Sequence, residues 1–192
     1  MGRLLDEDII NVLHSHSYEH PKVCIETGTW LGTQLLISAR HFVRVHGIEL
    51  DRHYHDVCVE AARTAGAENI TMHLGDTREI LPQLLDQHSD KPVFVILDAH
   101  YFATADPPLQ KSEFPLWVEL ELLKNRQTPD IISVDDVHTF GVNREDLRYE
   151  EGAEEWETVT TDSILEFMGD RVVDHGVLGD SFLLWMRDDR ET

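Results

Sequence analysis

Val23-Cys24-Ile25-Glu26-Thr27-Gly28-Thr29-Trp30-Leu31-Gly32 sets an apolar strand ahead of an acidic residue and two glycines, and an amphipathic helix follows from Leu31 to Phe42. It reads as a nucleotide-cofactor loop. Glycine lets a backbone turn sharply and brings its N–H groups close to a ligand, while the positive end of the following helix points at that ligand. A second strand, Val43-Arg44-Val45-His46-Gly47-Ile48-Glu49, ends in a carboxylate about 20 residues after the first glycine, the separation expected of an acid that holds a ribose.

The spacing also separates cofactor classes. A dinucleotide favours Gly-x-Gly-x-x-Gly, because its pyrophosphate lies against the helix N-terminus, but here Thr29, Trp30 and Leu31 stand between Gly28 and Gly32. Glu26 at the strand end would repel a pyrophosphate and attract a cationic amino-acid or sulfonium group. This favours S-adenosylmethionine (SAM) over NAD and leaves a dinucleotide oxidoreductase as a disfavoured alternative.

Outward from this loop, strand-like and helix-like patterns alternate. Strands are predicted near 22–26, 44–49, 70–74, 93–97 and 131–134, with helices near 31–42, 52–65, 78–88 and 115–124. Five strands alternating with helices, together with two more strands at the end of the chain, predict an α/β, Rossmann-like, doubly wound and mostly parallel seven-stranded sheet. The end of the chain differs: a helix near 163–168 and strands near 171–176 and 181–186, joined at Gly179-Asp180, predict an antiparallel C-terminal edge. A leading helix is expected at about residues 3–16. Arg144 to Glu157 carries seven acidic side chains, making 139–158 a candidate lid or a solvated loop.

The 192 residues, 41% of them hydrophobic, suit one domain over 1–192. A formal charge of −21 and a pI near 4.7 argue against a nucleic-acid substrate, since polyanion binding needs a basic stripe. The expected partners are a small-molecule acceptor and, as a homodimer, a second copy. Two cysteines, Cys24 and Cys58, sit in a predicted strand and helix, so a reducing compartment is expected rather than a disulfide framework. With no stretch long and apolar enough for a membrane span, the chain reads as soluble and cytoplasmic.

Chemistry-bearing residues gather where later strands end. Val95-Ile96-Leu97-Asp98-Ala99-His100-Tyr101 and Ile131-Ile132-Ser133-Val134-Asp135-Asp136-Val137-His138 deliver carboxylates and imidazoles to the same rim as Gly28 and Glu49. Carboxylates converging there repel unless protons or a cation neutralise them, which makes Asp98, Asp135 and Asp136 a candidate site for Mg²⁺ or Mn²⁺. Imidazole ligation would shift the preference toward Mn²⁺, Fe²⁺ or Zn²⁺. The alternative is that Asp135 caps a turn while Asp136 faces water. Trp30, Tyr101 and Phe102 are candidate acceptor-pocket residues, Trp117 fits the core better, and Pro107-Pro108 marks a loop after Tyr101.

Four ordered blocks then carry a resemblance over nearly the whole chain: Glu26 to Gly32, Leu97 to Tyr101, Pro115 to Leu120 and Val134 to Asp136. The chain resembles class I SAM-dependent methyltransferases, in particular bacterial proteins pairing a Glu-Thr-Gly-Thr-x-x-Gly loop with Leu-Asp-Ala/Gly-His-Tyr/Trp, Pro-Leu-x-x-Glu-Leu and Ile-Asp-Asp segments. The resemblance implies that Glu26, Gly28 and Gly32, with Thr27 and Thr29 in the same loop, border the methionine part of the cofactor. It further implies that Glu49 binds the ribose hydroxyls, that Asp76 and Thr77 lie beside the adenine, and that Asp98 sits at the reaction centre.

Asp98, Asp135 and Asp136 also occupy strand ends similar in position to those that hold Mg²⁺ in catechol and macrocin-type O-methyltransferases. Where the catechol enzyme has a lysine base, this chain has His100. The reaction expected is in-line transfer of the sulfonium methyl to a hydroxyl oxygen of a sugar or natural product, with a divalent cation lowering the hydroxyl pKa and His100 or His138 taking the proton. Two other classes stay open: a non-catalytic SAM-binding or partner-binding protein, and a metal-dependent hydrolase or oxygenase on the same fold.

Overall fold

The computed structural model describes residues 8, 11–13, 20–99, 115–141 and 153–190. Strand β1 (Val23–Thr27) is followed by α1 (Thr33–Ser38), β2 (Arg44–Glu49), α2 (Arg52–Ala65), β3 (Ile70–Leu74), α3 (Thr77–Gln87) and β4 (Val93–Leu97). Helix α4 (Leu116–Lys124), β5 (Ile131–Val134), α5 (Thr161–Met168), β6 (Val172–Leu178) and β7 (Ser181–Met186) complete the order, with short 3-10 turns at Val137–Thr139 and Ala153–Thr158. Asp8 and residues 11–13 are helical.

The seven strands of the described residues form one sheet in the order β3-β2-β1-β4-β5-β7-β6. The first five pair in parallel, whereas β7 runs antiparallel to both β5 and β6. This is the Rossmann-like sheet with an antiparallel C-terminal edge that the alternating pattern predicts.

One boundary differs: α1 covers Thr33–Ser38 rather than residues 31–42. Gly32 precedes it in the left-handed region, and beyond Ser38 the chain tightens through Arg40 N–H to Ile37 O at 3.1 Å and His41 N–H to Ser38 O at 2.9 Å. Those i to i−3 bonds wind the segment too tightly for an α-helix.

Strands β1, β4, β5 and β7 are buried at every position, as helices on both faces demand. Side chains alternate between two cores. Cys24, Val45, Phe94 and Ile96 pack with Leu35 of α1, Cys58 of α2 and Val12 of the leading helical segment. Ile25, Ile48, Val95 and Leu97 face Leu81 and Leu84 of α3, Leu120 and Leu123 of α4, and Ile164 of α5. Fully burying such a side chain contributes about 1.5–3 kcal/mol, so each face is anchored many times over.

The sheet's hydrogen bonding continues past its carboxyl ends. Gly75 N–H donates to Glu49 O at 2.9 Å, Gly28 N–H to Ile48 O at 2.9 Å, Asp98 N–H to Thr27 O at 3.1 Å and Asp135 N–H to Leu97 O at 3.0 Å. Gly75, Glu49, Gly28, Asp98 and Asp135 are thereby held along one rim, which is where ligands bind in open α/β sheets.

Candidate cofactor and reaction site

The loop after β1 is wound by residues in the left-handed region, Gly28 at φ 73°, Trp30 at 45° and Gly32 at 72°. At Gly28 a Cβ would fall on the carbonyl of Asp98, well inside van der Waals contact, so only glycine lets β4 close against the loop. Cys58 braces the loop from α2: its thiol donates to Trp30 O at 3.2 Å and lies 3.4 Å from Thr29 Oγ1. Burial pushes that thiol up to about 11, and it raises the Cys24 thiol further, so both cysteines are packing groups rather than nucleophiles. Glu26 is buried at the end of β1, as is Thr27.

Glu49 is fixed by the loop it serves. Its Oε2 accepts from Trp30 N–H and its Oε1 from Asp51 N–H, both at 2.9 Å, with Thr29 Oγ1 at 3.5 Å from Oε2. Oε2 is taken up by the Trp30 amide and the Thr29 hydroxyl, whereas Oε1 accepts from Asp51 N–H alone and keeps a lone pair with which it can accept from a ligand hydroxyl. A carboxylate held in this way carries no further entropy cost of ordering if a ligand binds to it.

Asp76 and Thr77 sit at the start of α3 with their side chains engaged. Asp76 caps the helix through Arg78 N–H at 2.8 Å, and the Arg78 guanidinium grips the same carboxylate at 2.6 Å, holding its pKa below the usual range. Thr77 Oγ1 turns inward and donates to Oε1 of Glu119 at 2.8 Å. In the sequence Glu119 is the acid of the Pro-Leu-x-x-Glu-Leu block and carries no assigned role, though a signal existed: it falls on the apolar face of α4 with Leu116, Leu120 and Leu123, all of them buried.

The rim after β5 differs in detail from the Asp98–Asp135–Asp136 set. Asp135 accepts from Ser181 Oγ at 2.9 Å, and burial raises its pKa to about 6. Among the described residues, the group of three with ligand atoms within 4.8 Å of one another is Asp136, His138 and Asp180. Asp98 is part-buried at the end of β4 and lies outside that group.

Asp136 stands in the left-handed region at φ 61°, a strained position for a non-glycine residue. Its carbonyl accepts from Thr139 N–H at 2.9 Å and Thr139 Oγ1 at 2.7 Å, which hold the turn, and burial raises its carboxyl pKa. His138 donates its backbone N–H to Asp180 Oδ1 at 2.9 Å and places its Nδ1 2.7 Å from Asp180 Oδ2. Because a carboxylate only accepts, Nδ1 carries the proton and Nε2 is left as an acceptor. Asp180 reads from sequence only as part of a hairpin turn, and nothing local in Gly179-Asp180 marks it as a partner of His138.

His100, Tyr101, Phe102 and Pro107-Pro108 lie outside the described residues, as does 142–152 of the candidate lid. Where the described chain meets that lid, Phe140 stacks on Trp156 at 5.7 Å and Gly141 N–H donates to Trp156 O at 3.1 Å. Trp30 is 37% exposed at the rim, while Trp117 packs edge-on against Phe167 in the core. No helix of the described residues is long and apolar enough to cross a membrane.

No protein-family model matches this chain, and no curated protein matches its sequence. Solved structures do share its fold. The SAH-bound methyltransferase PaMTH1 of Podospora anserina superposes with a TM-score of 0.61 at 14% identity, over 88% of this chain and 73% of that one. An O-methyltransferase from Bacillus cereus in complex with SAH gives 0.58 at 16% identity, over 95% and 90%. TomG of Streptomyces achromogenes, an O-methyltransferase involved in tomaymycin synthesis and solved with SAM, gives 0.54 at 21% identity, over 86% and 72%. At such identities the likeness is one of fold.

Proposed function

We propose that this chain is a SAM-dependent methyltransferase acting on a hydroxyl of a small acceptor. The observation that carries the reading is Glu49, held by Trp30 N–H and Asp51 N–H beside the close-wound Gly28 loop. It stands at the rim of a fold that similar structures use with SAM or SAH. The loop's glycine spacing and the buried Glu26 favour a cationic sulfonium ligand over a pyrophosphate. A formal net charge of −21 disfavours polyanionic acceptors and leaves sugars, phenols and related hydroxylated compounds.

In the proposed step the acceptor oxygen attacks the sulfonium methyl in line: the O–CH₃ bond forms as the S–CH₃ bond breaks. The hydroxyl proton passes to His138 Nε2, yielding a methyl ether, S-adenosylhomocysteine (SAH) and an imidazolium that later loses its proton to water. Asp180 keeps the ring in the accepting tautomer and stabilises the imidazolium. His100 remains the other proposed base.

The donor set Asp136, His138 and Asp180 fits a divalent cation, and two carboxylates with one imidazole suit Mn²⁺ better than Mg²⁺. Bound there, the ion would supply Lewis acidity that lowers the acceptor's pKa, with the imidazole as ligand rather than base. A non-catalytic SAM-binding protein would need Glu49 and the loop but not the His138–Asp180 pair. Calorimetric titration of the purified chain with SAM, SAH and NAD, with and without Mn²⁺ or Mg²⁺, tests the reading. Tight NAD binding with neither adenosyl compound bound overturns it.

A further inference from the structure

Beneath the rim, a buried hydrogen-bond chain runs from β4 through β1 and α4 to α3. Asp98 N–H approaches Thr27 Oγ1 at 3.4 Å, the Thr27 hydroxyl bonds to Glu119, and Thr77 Oγ1 donates to Glu119 Oε1 at 2.8 Å. Thr27 closes β1 immediately before Gly28, and Thr77 opens α3 immediately after Asp76. Glu119 is 1% exposed, and among the described residues its compensation comes from two neutral hydroxyls rather than a cation. Among the described residues the other charged group facing it is Asp76, whose own charge is matched by Arg78.

We propose that Glu119 is a positioning and specificity residue of the cofactor cleft: its carboxylate ties Thr27 to Thr77 and supplies a buried counter-charge that favours the cationic methyl donor over the neutral demethylated product. The inference rests on the SAM reading of the site.

Two opposing demands meet at this carboxyl. As a carboxylate it accepts from both threonines and leaves Thr27 Oγ1 free to accept from Asp98 N–H; as an acid it must donate to one of them and turn that hydroxyl away. Desolvation works the other way and raises its pKa to about 7. Near neutrality a small electrostatic bias therefore decides its state. A sulfonium cation arriving above Thr27 and Gly28 favours the ionised form, and by linkage the ionised form favours the sulfonium. SAH has lost that charge with the methyl group, so the same carboxylate holds the product less well and assists its release.

The test is calorimetric titration of the full chain with SAM and with SAH between pH 6 and 8.5, for wild type, Glu119→Gln and Glu119→Ala. Gln keeps one donor and one acceptor for the two threonines but carries no charge. In wild type the preference for SAM over SAH should rise about tenfold across that range, the order expected of one poorly screened charge. In Glu119→Gln both ligands should still bind, with a preference that no longer changes with pH. Glu119→Ala should lose affinity for both ligands, with thermal unfolding reporting whether it is folded.

A folded Glu119→Gln variant that keeps the wild-type preference and pH profile overturns the inference while leaving SAM binding standing. Failure of folded wild type to bind either adenosyl compound overturns the inference together with the reading beneath it.

Discussion

The backbone N–H of Trp30 donates to Oε2 of Glu49 at 2.9 Å, so the loop after β1 is fastened to the acid at the end of β2, the group proposed above to receive a ribose. Glu49→Ala should remove both the ligand contact and this fastening. SAH affinity should fall by roughly 1–3 kcal/mol, as expected for lost charge-assisted hydrogen bonds. Calorimetry measures it, and NAD should not compete. Unchanged affinity would place the ribose elsewhere.

Gly28 has no room for a side chain, because a Cβ would collide with Asp98 O while the backbone holds φ at 73°. Gly28→Ala should cost about 2–4 kcal/mol through strain and forced separation of β1 from β4. Thermal unfolding and SAH titration should fall together. At Gly66, also left-handed but with nothing within 4 Å, the same change should cost far less. Equal losses at the two positions would refute the crowding argument.

If the His138–Asp180 pair moves the acceptor's proton, His138→Ala should slow methyl transfer by about 10²- to 10⁴-fold with SAH binding nearly unchanged. Asp180→Asn should do the same to a lesser degree by releasing the tautomer. A double change of Asp136 and Asp180 to Asn should abolish any rise in melting temperature produced by Mn²⁺. A shift that persists in the double variant would locate the ion away from this rim.

Three histidines gather on the far side of β2: His46 Nδ1 lies 3.1 Å from His73 Nε2, and the rings of His46 and His88 are 5.6 Å apart. Burial lowers the pKa of all three, to about 4 for His46, with Arg44 and neighbouring histidines adding to the effect. Above pH 6.5 the imidazoles are neutral both folded and unfolded. As pH falls, the unfolded chain takes up protons first, so this contribution to stability is lost between 6.5 and 4.

By pH 5 the loss from His46 should be on the order of 2 kcal/mol. Glu119 and Asp135, raised to about 7 and 6 by burial, act oppositely and lose stability as pH rises through those values. Urea unfolding of wild type against His46→Gln at pH 7.5 and pH 5 separates the two. The variant should show the smaller loss on acidification, and an equal loss would exclude His46.

Local chemistry alone accounts for much of this molecule. β2 (Arg44–Glu49), β3 (Ile70–Leu74), β4 (Val93–Leu97) and α2 (Arg52–Ala65) are legible in sequence because runs of apolar residues and a 3.6-residue period are properties of consecutive positions. Gly28 and Glu49 are legible for the same reason, since a glycine turn and a strand-end acid recur at a separation set by the βαβ unit. The shortened α1 was not: where it stops depends on a tightened turn at Arg40 and His41.

Which polar groups meet across the fold was decided only by the tertiary structure. Asp180 reaches His138 from 42 positions away because β7 inserts between β5 and β6, bringing the hairpin turn to the carboxyl end of β5. Glu119 meets Thr77, also 42 positions away, because α3 and α4 pack side by side on one face of the sheet. Periodicity states which face of an element is buried; it does not state what that face will touch. The contact follows from strand order and helix packing, which are set by the whole core at once.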